Sequence, residues 1–505
     1  MTPSDALVLP APSPEAGPWE AQASVTQASV VQASVTQSAA TASGVPVAAR
    51  SRRHRRLDPL AATSSALMAD TVVTSALGVV FWVVASRTYS PRQLGESAAL
   101  ISAMMLLSVV SQMNLAMGIA RFLPQVRYHR GRGVVTAYAA TAGVGLVVAA
   151  CFTGVAPRLS HGFAFLGRDQ MLASALVVAV VLWNVFALQD AVLTATRWAV
   201  ALPVENGIFG ALKIGLMIWL ARGYADHGVF VAWLLAMAVM LVPVNGLIFW
   251  KVLPSPGPGD DSRKATRSSP QAHAPAHAQA TVLPLADRAR VARYLAVDYV
   301  AAILNQGYLS MLPLLVVAVL GRDANAYFYI AFVIAGAVRA VAQSMGTSLV
   351  VEGAHDESEL VRLTRLSVAR YAKYAVPGIA VLVVGANLLL LPFGASYVEN
   401  GVTLLRLLLV ATLPQALVSL YVSVERVRAN VGRVVAVEGA VVVLVTAGAI
   451  VGMDRIGLAG VGWAWLVAQS IVAGFVVPAL WRACREPARA EGPALPVTVP
   501  SGVCS

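Results

Sequence analysis

GVFVAWLLAMAVMLVPVNGLIFW, residues 228–250, is a run of 23 residues without a charge. Segments of roughly 20 apolar residues are what a helix needs to cross a bilayer. It is followed over 252–291 by Pro254, Pro256, Pro258, Pro270, Pro275 and Pro284 among Gly, Ser, Ala and His. That composition reads as a flexible linker. Working outward, apolar segments on the amino-terminal side fall at about 62–86, 94–118, 133–156, 170–192 and 199–221, before the one at 228–250. On the other side they fall at about 293–320, 324–348, 368–391, 401–423, 432–453 and 457–481. The layout is six spans, a linker and six spans, which predicts an all-α polytopic membrane protein of about twelve transmembrane helices.

The whole chain agrees. Of 505 residues, 58% are hydrophobic and 12% charged, with mean hydropathy +0.71. Soluble chains carry about 25% charged residues, so a soluble enzyme, a disordered hub and a nucleic-acid-binding domain are excluded as whole-chain readings. The expected organisation is a disordered tail at 1–56, a first six-helix bundle at 57–251, the cytoplasmic linker at 252–291, a second bundle at 292–482 and a cytoplasmic tail at 483–505. The amino-terminal tail carries a five-residue repeat phased by Gln22, Gln27, Gln32 and Gln37. It has no apolar core followed by a cleavage site, so it does not read as a signal peptide.

Charge sets the expected orientation. With the amino terminus inside, 27 of the 37 Lys and Arg residues fall in inner segments and 7 in outer loops, with Lys213, Arg339 and Arg406 inside spans. The positive-inside rule then places both termini in the cytoplasm. It also accounts for the net charge of +12 with no nucleic-acid partner. Trp198, Trp250 and Trp481 stand beside Arg197, Lys251 and Arg482 at inner boundaries, as an interfacial belt does.

Enzymatic signatures are lacking. The four lysines follow Leu212, Trp250, Arg263 and Ala372, whereas a Walker A loop needs Gly before Lys. No HExxH occurs, and the three cysteines, Cys151, Cys484 and Cys504, are far apart. No catalytic residue, metal site or cofactor is expected. The short outer loops, the longest about 157–169, argue against a membrane-embedded glycan polymerase, ligase or glycosyltransferase and for a transporter.

Ionisable residues within spans carry the functional reading, because a charge at mid-bilayer costs about 2.5–3.5 kcal/mol on the insertion scale. Arg339 lies about 13 Å from the predicted inner end of span eight. Lys213 in span five and Arg406 in span ten fall in the outer half. Glu205, Asp298 and Glu438 fall in the inner third of their spans, and Asp70 near the middle of span one. A hydrated cavity would use Arg339, Lys213 and Arg406 to hold an anionic cargo and Asp70, Asp298 and Glu205 to couple H⁺ or Na⁺. The bland reading has the acids and Arg406 reaching the nearest interface. Asp190 and Glu425 read as solvated span ends. Pro203, Pro243, Pro313, Pro377 and Pro414 mark expected kinks.

The halves also read as a repeat. Setting Val83–Ala85 on Val316–Ala318 brings spans two and eight into register, with Gln112 within two residues of Gln343. Transporters built this way place the substrate path between the halves.

VVASRTYSPRQLGESAAL (83–100), SQMNLAMGIARFLPQ (111–125), LPFGASYVENGVTLLRLLLVATLPQAL (391–417) and LAGVGWAWLVAQS (458–470) resemble patches of bacterial polysaccharide exporters. The likeness extends in layout over about 60–481. These belong to the lipid-linked oligosaccharide and polysaccharide flippases of the multidrug/oligosaccharidyl-lipid/polysaccharide (MOP) exporter superfamily. The resemblance implies two six-helix bundles around a central cavity, alternating access coupled to an ion or to the potential, and a bacterial inner-membrane location. It implies a polyprenyl-pyrophosphate-linked oligosaccharide as cargo, moved from the cytoplasmic to the outer leaflet for cell-surface polysaccharide synthesis, and glycan polymerase and glycosyltransferase partners. Relatives place basic residues in the cavity to hold the pyrophosphate; Arg339 takes that role here by its position in a span. A cation-coupled multidrug exporter of the same superfamily is the alternative within this fold.

Overall fold

The computed structural model describes residues 59–123, 130–196, 198–223, 226–253, 285–353, 357–428 and 430–483. The expected amino-terminal and carboxy-terminal tails and most of the linker lie outside these residues. Within them the chain is helical, in the predicted order. The long helices are α1 (Pro59–Thr88), α2 (Pro91–Ser111), α3 (Arg130–Leu159), α4 (Gln170–Ala195), α5 (Leu202–Leu220) and α6 (Gly228–Leu247) in the first bundle. The second holds α7 (Leu285–Leu320), α8 (Arg322–Gly353), α9 (Glu357–Val384), α10 (Ala395–Val427), α11 (Val431–Ile456) and α12 (Leu458–Ala483). Helix α7 opens at Leu285, inside the stretch expected as linker.

Among the described residues, eight helices are long and apolar enough to cross a membrane, or nine if the bent pair around Gly385 is one span. In α1 the apolar part is shorter, Val73–Thr88. Helix α5 is diluted by Glu205, Asn206 and Lys213, and α8 by Arg322, Asp323, Asn325 and Arg339. Polar residues in spans are costly and need a reason; the site below supplies one.

Local chemistry sets the helix ends. Pro91 opens α2 behind a Ser90–Gln93 capping box, and Asp169 caps α4 by accepting from the Leu172 N–H at 3.0 Å. Both arrangements satisfy amides that a helix start leaves unpaired. Between α7 and α8 the chain reverses through Gly321 at φ +90°, a left-handed geometry that side chains disfavour. Pro203 starts α5 and does not kink it, because proline's missing N–H is no loss in a first turn. Expected span two breaks after Ser111, where Met113 and Asn114 are left-handed, and resumes as a short helix, Leu115–Phe122. Expected span nine bends by 69° between Tyr371–Val384 and Ala386–Phe393.

Helices in lipid gain little from the hydrophobic effect, so they pack through small residues and shape. Gly452 of α11 and Gly460 of α12 meet backbone to backbone. In the first bundle α1 lies on α5, with Leu77 against Gly210. Helix α2 differs from the rest: 14 of its 21 residues are buried, on every side. It runs between the bundles, packed on α3, α4 and α6 of its own and on α7 and α8 of the other. That position explains why so polar a helix, with Glu96, Ser97, Ser102, Ser108 and Ser111 all buried, holds its place. Trp250 and Trp481 are largely exposed on the outside of the fold, as residues of an interfacial belt would be.

Candidate cargo and coupling sites

The side bearing the α1–α2 turn is the one that the charge count predicts to face outward. There the bundles are joined. Arg322, the first residue of α8, donates to the Glu96 carboxylate of α2. Arg92 and His227 Nδ1 approach the same carboxylate at 3.9 and 3.7 Å. Asn325 Nδ2 donates to Gly95 O at 2.8 Å. Arg322 also lies over the Phe165 ring at 5.6 Å. Two reciprocal clasps flank this seam. Arg87 at the end of α1 donates to Pro392 O and Leu391 O, in the α9–α10 connection, at 2.6 and 2.9 Å. The α3–α4 connection reaches the end of α7, with Ser160 Oγ 3.4 Å from Ala318 O. Each bundle's first helix is thus held by the other bundle's corresponding loop. Deeper in, the Tyr299 hydroxyl of α7 donates to Val110 O of α2.

Toward the inner side of the first bundle lies an acidic cluster. Asp70 of α1 accepts from Asn206 Nδ2 of α5 at 3.1 Å and is 3% exposed. Glu205, beside Asn206, is also buried, and neither of its carboxylate oxygens has a hydrogen-bond partner among the described residues. Asp190, near the end of α4, has one buried oxygen with no hydrogen-bond partner among the described residues. It interacts electrostatically with both Glu205 and Asp70, and the buried Tyr138 hydroxyl of α3 is within electrostatic reach of Glu205 and Asp190. No basic residue pairs with these three carboxylates among the described residues. No three acids, histidines or cysteines among those residues are close enough to hold a metal ion together.

The second bundle carries a counterpart. Glu438 of α11 is buried, and both its oxygens lie 2.9 Å from Asn305 Nδ2 of α7. The sequence offset that carries Val83 onto Val316 also carries Glu205 onto Glu438. So α1–α5 and α7–α11 each hold a carboxylate against an amide, with donor and acceptor exchanged between the helices.

The basic residues follow the same duality. Arg339 is half-buried midway along α8, about 21 Å from its inner end because the helix runs to Gly353. Its guanidinium lies over Phe332 at 5.2 Å and Trp465 of α12 at 5.7 Å. Tyr308 of α7 stands within electrostatic reach of both Arg339 and Glu438. No carboxylate pairs with Arg339 among the described residues. Lys213 is buried in α5, its ammonium 4.1 Å from the Trp233 ring centroid of α6. Trp233 and Trp465 fall within one residue of the same repeat offset.

The structure places Asp70 of α1 and Glu205 of α5 within electrostatic reach of one another. It leaves Lys213, Arg339 and Arg406 without mutual contact. Arg406 is exposed on α10 and donates to Val383 O at 3.2 Å, next to the break in α9. Asp298 is on α7, with its side chain outside the described residues. Asp190 and Glu425 are not solvated ends. Asp190 joins the acidic cluster, and Glu425 is 1% exposed, bonded to Asn430 at 3.0 Å and paired with Arg433 at 3.4 Å.

No family model matches the chain, and no curated protein matches it. Solved structures do. One is an inward-facing multidrug resistance MATE family transporter of the MOP superfamily, with TM-score 0.58 and 13% identity over 82% of this chain and 94% of that one. Another is the MATE multidrug transporter DinF-BH, with TM-score 0.59 and 14% identity over 84% and 95%. An outward-facing conformation of a MATE family transporter gives TM-score 0.52 and 14% identity over 85% and 97%. The chain thus has the two-bundle fold of MATE transporters, a polytopic membrane fold solved in inward- and outward-facing conformations.

Proposed function

We propose that this protein is an alternating-access transporter that moves a lipid-linked anionic glycan from the cytoplasmic to the outer leaflet of a bacterial inner membrane. The observation that carries the reading is Arg339. A guanidinium with no carboxylate partner among the described residues, half-buried midway along a membrane helix, is costly unless an anion visits it. A planar guanidinium also suits the oxygens of a pyrophosphate. The headgroup would cross between the bundles while the polyprenyl chain stays in lipid. The joined outer seam suits the state that loads cargo from inside.

The acidic cluster supplies the coupling in this reading. Buried Asp70 and Glu205 and half-buried Asp190, with no basic partner among the described residues, are neutral only when they carry protons or a cation. Since they do not gather as a metal cage would, protons are favoured. Partners that make or polymerise the glycan would dock on the cytoplasmic and outer sides respectively.

A second reading is a cation-coupled multidrug exporter, favoured by the multidrug activity named for the structural relatives and by the acidic cluster itself. Proteoliposomes distinguish them. A labelled polyprenyl-pyrophosphate oligosaccharide should change leaflets only when the protein is present, faster with a proton gradient, and a cationic dye should not move. Dye movement without glycan movement would replace the first reading by the second.

A further inference from the structure

Lys213 sits in a cage of three aromatic rings from three helices. Its ammonium lies 4.1 Å from the Trp233 centroid on α6, 4.9 Å from Phe81 on α1 and 5.0 Å from Phe209 on α5. The walls stand nearly perpendicular: Phe81 to Trp233 at 89° and Phe209 to Trp233 at 73°. Trp183 and Phe186 of α4 back the cage, the first on Trp233 and the second on Phe209. The ammonium has no hydrogen-bond acceptor or carboxylate partner among the described residues, and the side chain is 8% exposed. The ammonium lies over all three rings, whose faces carry the negative end of the ring quadrupole. This is the arrangement that recognises organic ammonium ions, and it is worth most where water is excluded.

We infer that this cage is a binding site for small quaternary or alkylated ammonium ions, and that Lys213 is its built-in occupant, closing the first bundle to cationic cargo. The side chain arrives from α5 as a tethered ligand. It makes the contacts an organic cation would make and repels any cation that approaches. The inference adds to the anionic-cargo reading and rests on it only for its purpose. The cage itself is tested by binding, so the two can fail separately.

The experiment uses the full chain in detergent, as wild type, Lys213→Ala and Lys213→Arg, with tetramethylammonium as the probe. The readouts are thermal stability and tryptophan quenching. Tetramethylammonium should stabilise Lys213→Ala saturably, with apparent affinity at least ~10-fold tighter than for wild type or Lys213→Arg. Neopentyl alcohol, of similar shape and uncharged, should do much less. Should Lys213→Ala unfold on extraction, tetramethylammonium present throughout extraction should restore the yield of folded protein, and neopentyl alcohol should not. Equal responses of wild type and Lys213→Ala, equal effects of the two probes, or no rescue of an unfolded variant would each overturn the inference.

Discussion

Arg322 at the head of α8 donates to the Glu96 carboxylate of α2, tying the two bundles at their outer ends. Glu96 is 7% exposed at its side chain and Arg322 27%, so solvent weakens the pair only in part. Arg322→Gln leaves Glu96 facing Arg92 at 3.9 Å and His227 at 3.7 Å. Breaking the pair should cost the outer-closed state about 1.5–3 kcal/mol, enough to shift its population by roughly 10-fold or more. Spin labels at Leu159 and Asp323, one on each bundle's outer side, should report a longer distance in Arg322→Gln. An unchanged distance distribution would show that the clasps hold the seam without this pair.

Gly95 makes the seam possible. A Cβ there would overlap the backbone oxygen of Arg322. That oxygen is backbone and cannot swing aside. Gly95→Ala should therefore separate α2 from α8, with a penalty of about 1–3 kcal/mol or more. Gly118→Ala, with open space at its Cβ, is the control. Thermal unfolding in detergent should show a drop for the first and little for the second.

The acidic cluster sets up a division between stability and activity. Glu205→Gln and Asp70→Asn remove like charges that face one another without basic partners. Either variant should be as stable as wild type or more so, while proton-driven transport is lost and passive exchange persists. A variant that kept its response to a proton gradient would take that residue out of the coupling role.

His227, the residue preceding α6, is held below its ordinary value of 6.5 by burial, against the upward pull of Asp169 and Asp226. The unfolded chain then takes up the proton first as pH falls. The stability due to neutral His227 is complete above about pH 6.5 and is lost as pH drops toward and through its depressed native value. His227→Gln should flatten the acid side of a plot of melting temperature against pH. An acid limb as steep as that of wild type would place the sensitivity elsewhere.

Much of this fold is legible in the sequence because lipid imposes long, uncharged helices. Each of the twelve apolar segments corresponds to a long helix. The departures have local causes. Span two breaks at Met113–Asn114, where nothing in a run of apolar residues announces two left-handed positions. Pro203 marks a beginning and not a kink, since proline costs little in a first turn. Asp190 reads as solvated in the sequence because only tertiary packing turns the end of α4 onto Glu205. The matched Glu205 and Glu438 are within reach of the repeat offset. Asn206, which serves Asp70, and Asn305, which serves Glu438, are not, because an amide in a span has no distinguishing spacing. Periodicity also does not separate cage walls from core: Phe81, Phe209 and Trp233 look alike in either role.

The most direct test of the central claim is equilibrium binding of a polyprenyl pyrophosphate to the purified chain, with wild type, Arg339→Lys and Arg339→Ala side by side. Loss of a charge-assisted contact of about 1.5–3 kcal/mol corresponds to roughly 10- to 150-fold in affinity. The predicted result is weakening of that order in Arg339→Ala, with partial retention in Arg339→Lys and unchanged melting temperatures. Equal affinity in all three proteins would contradict the claim that Arg339 receives an anionic headgroup.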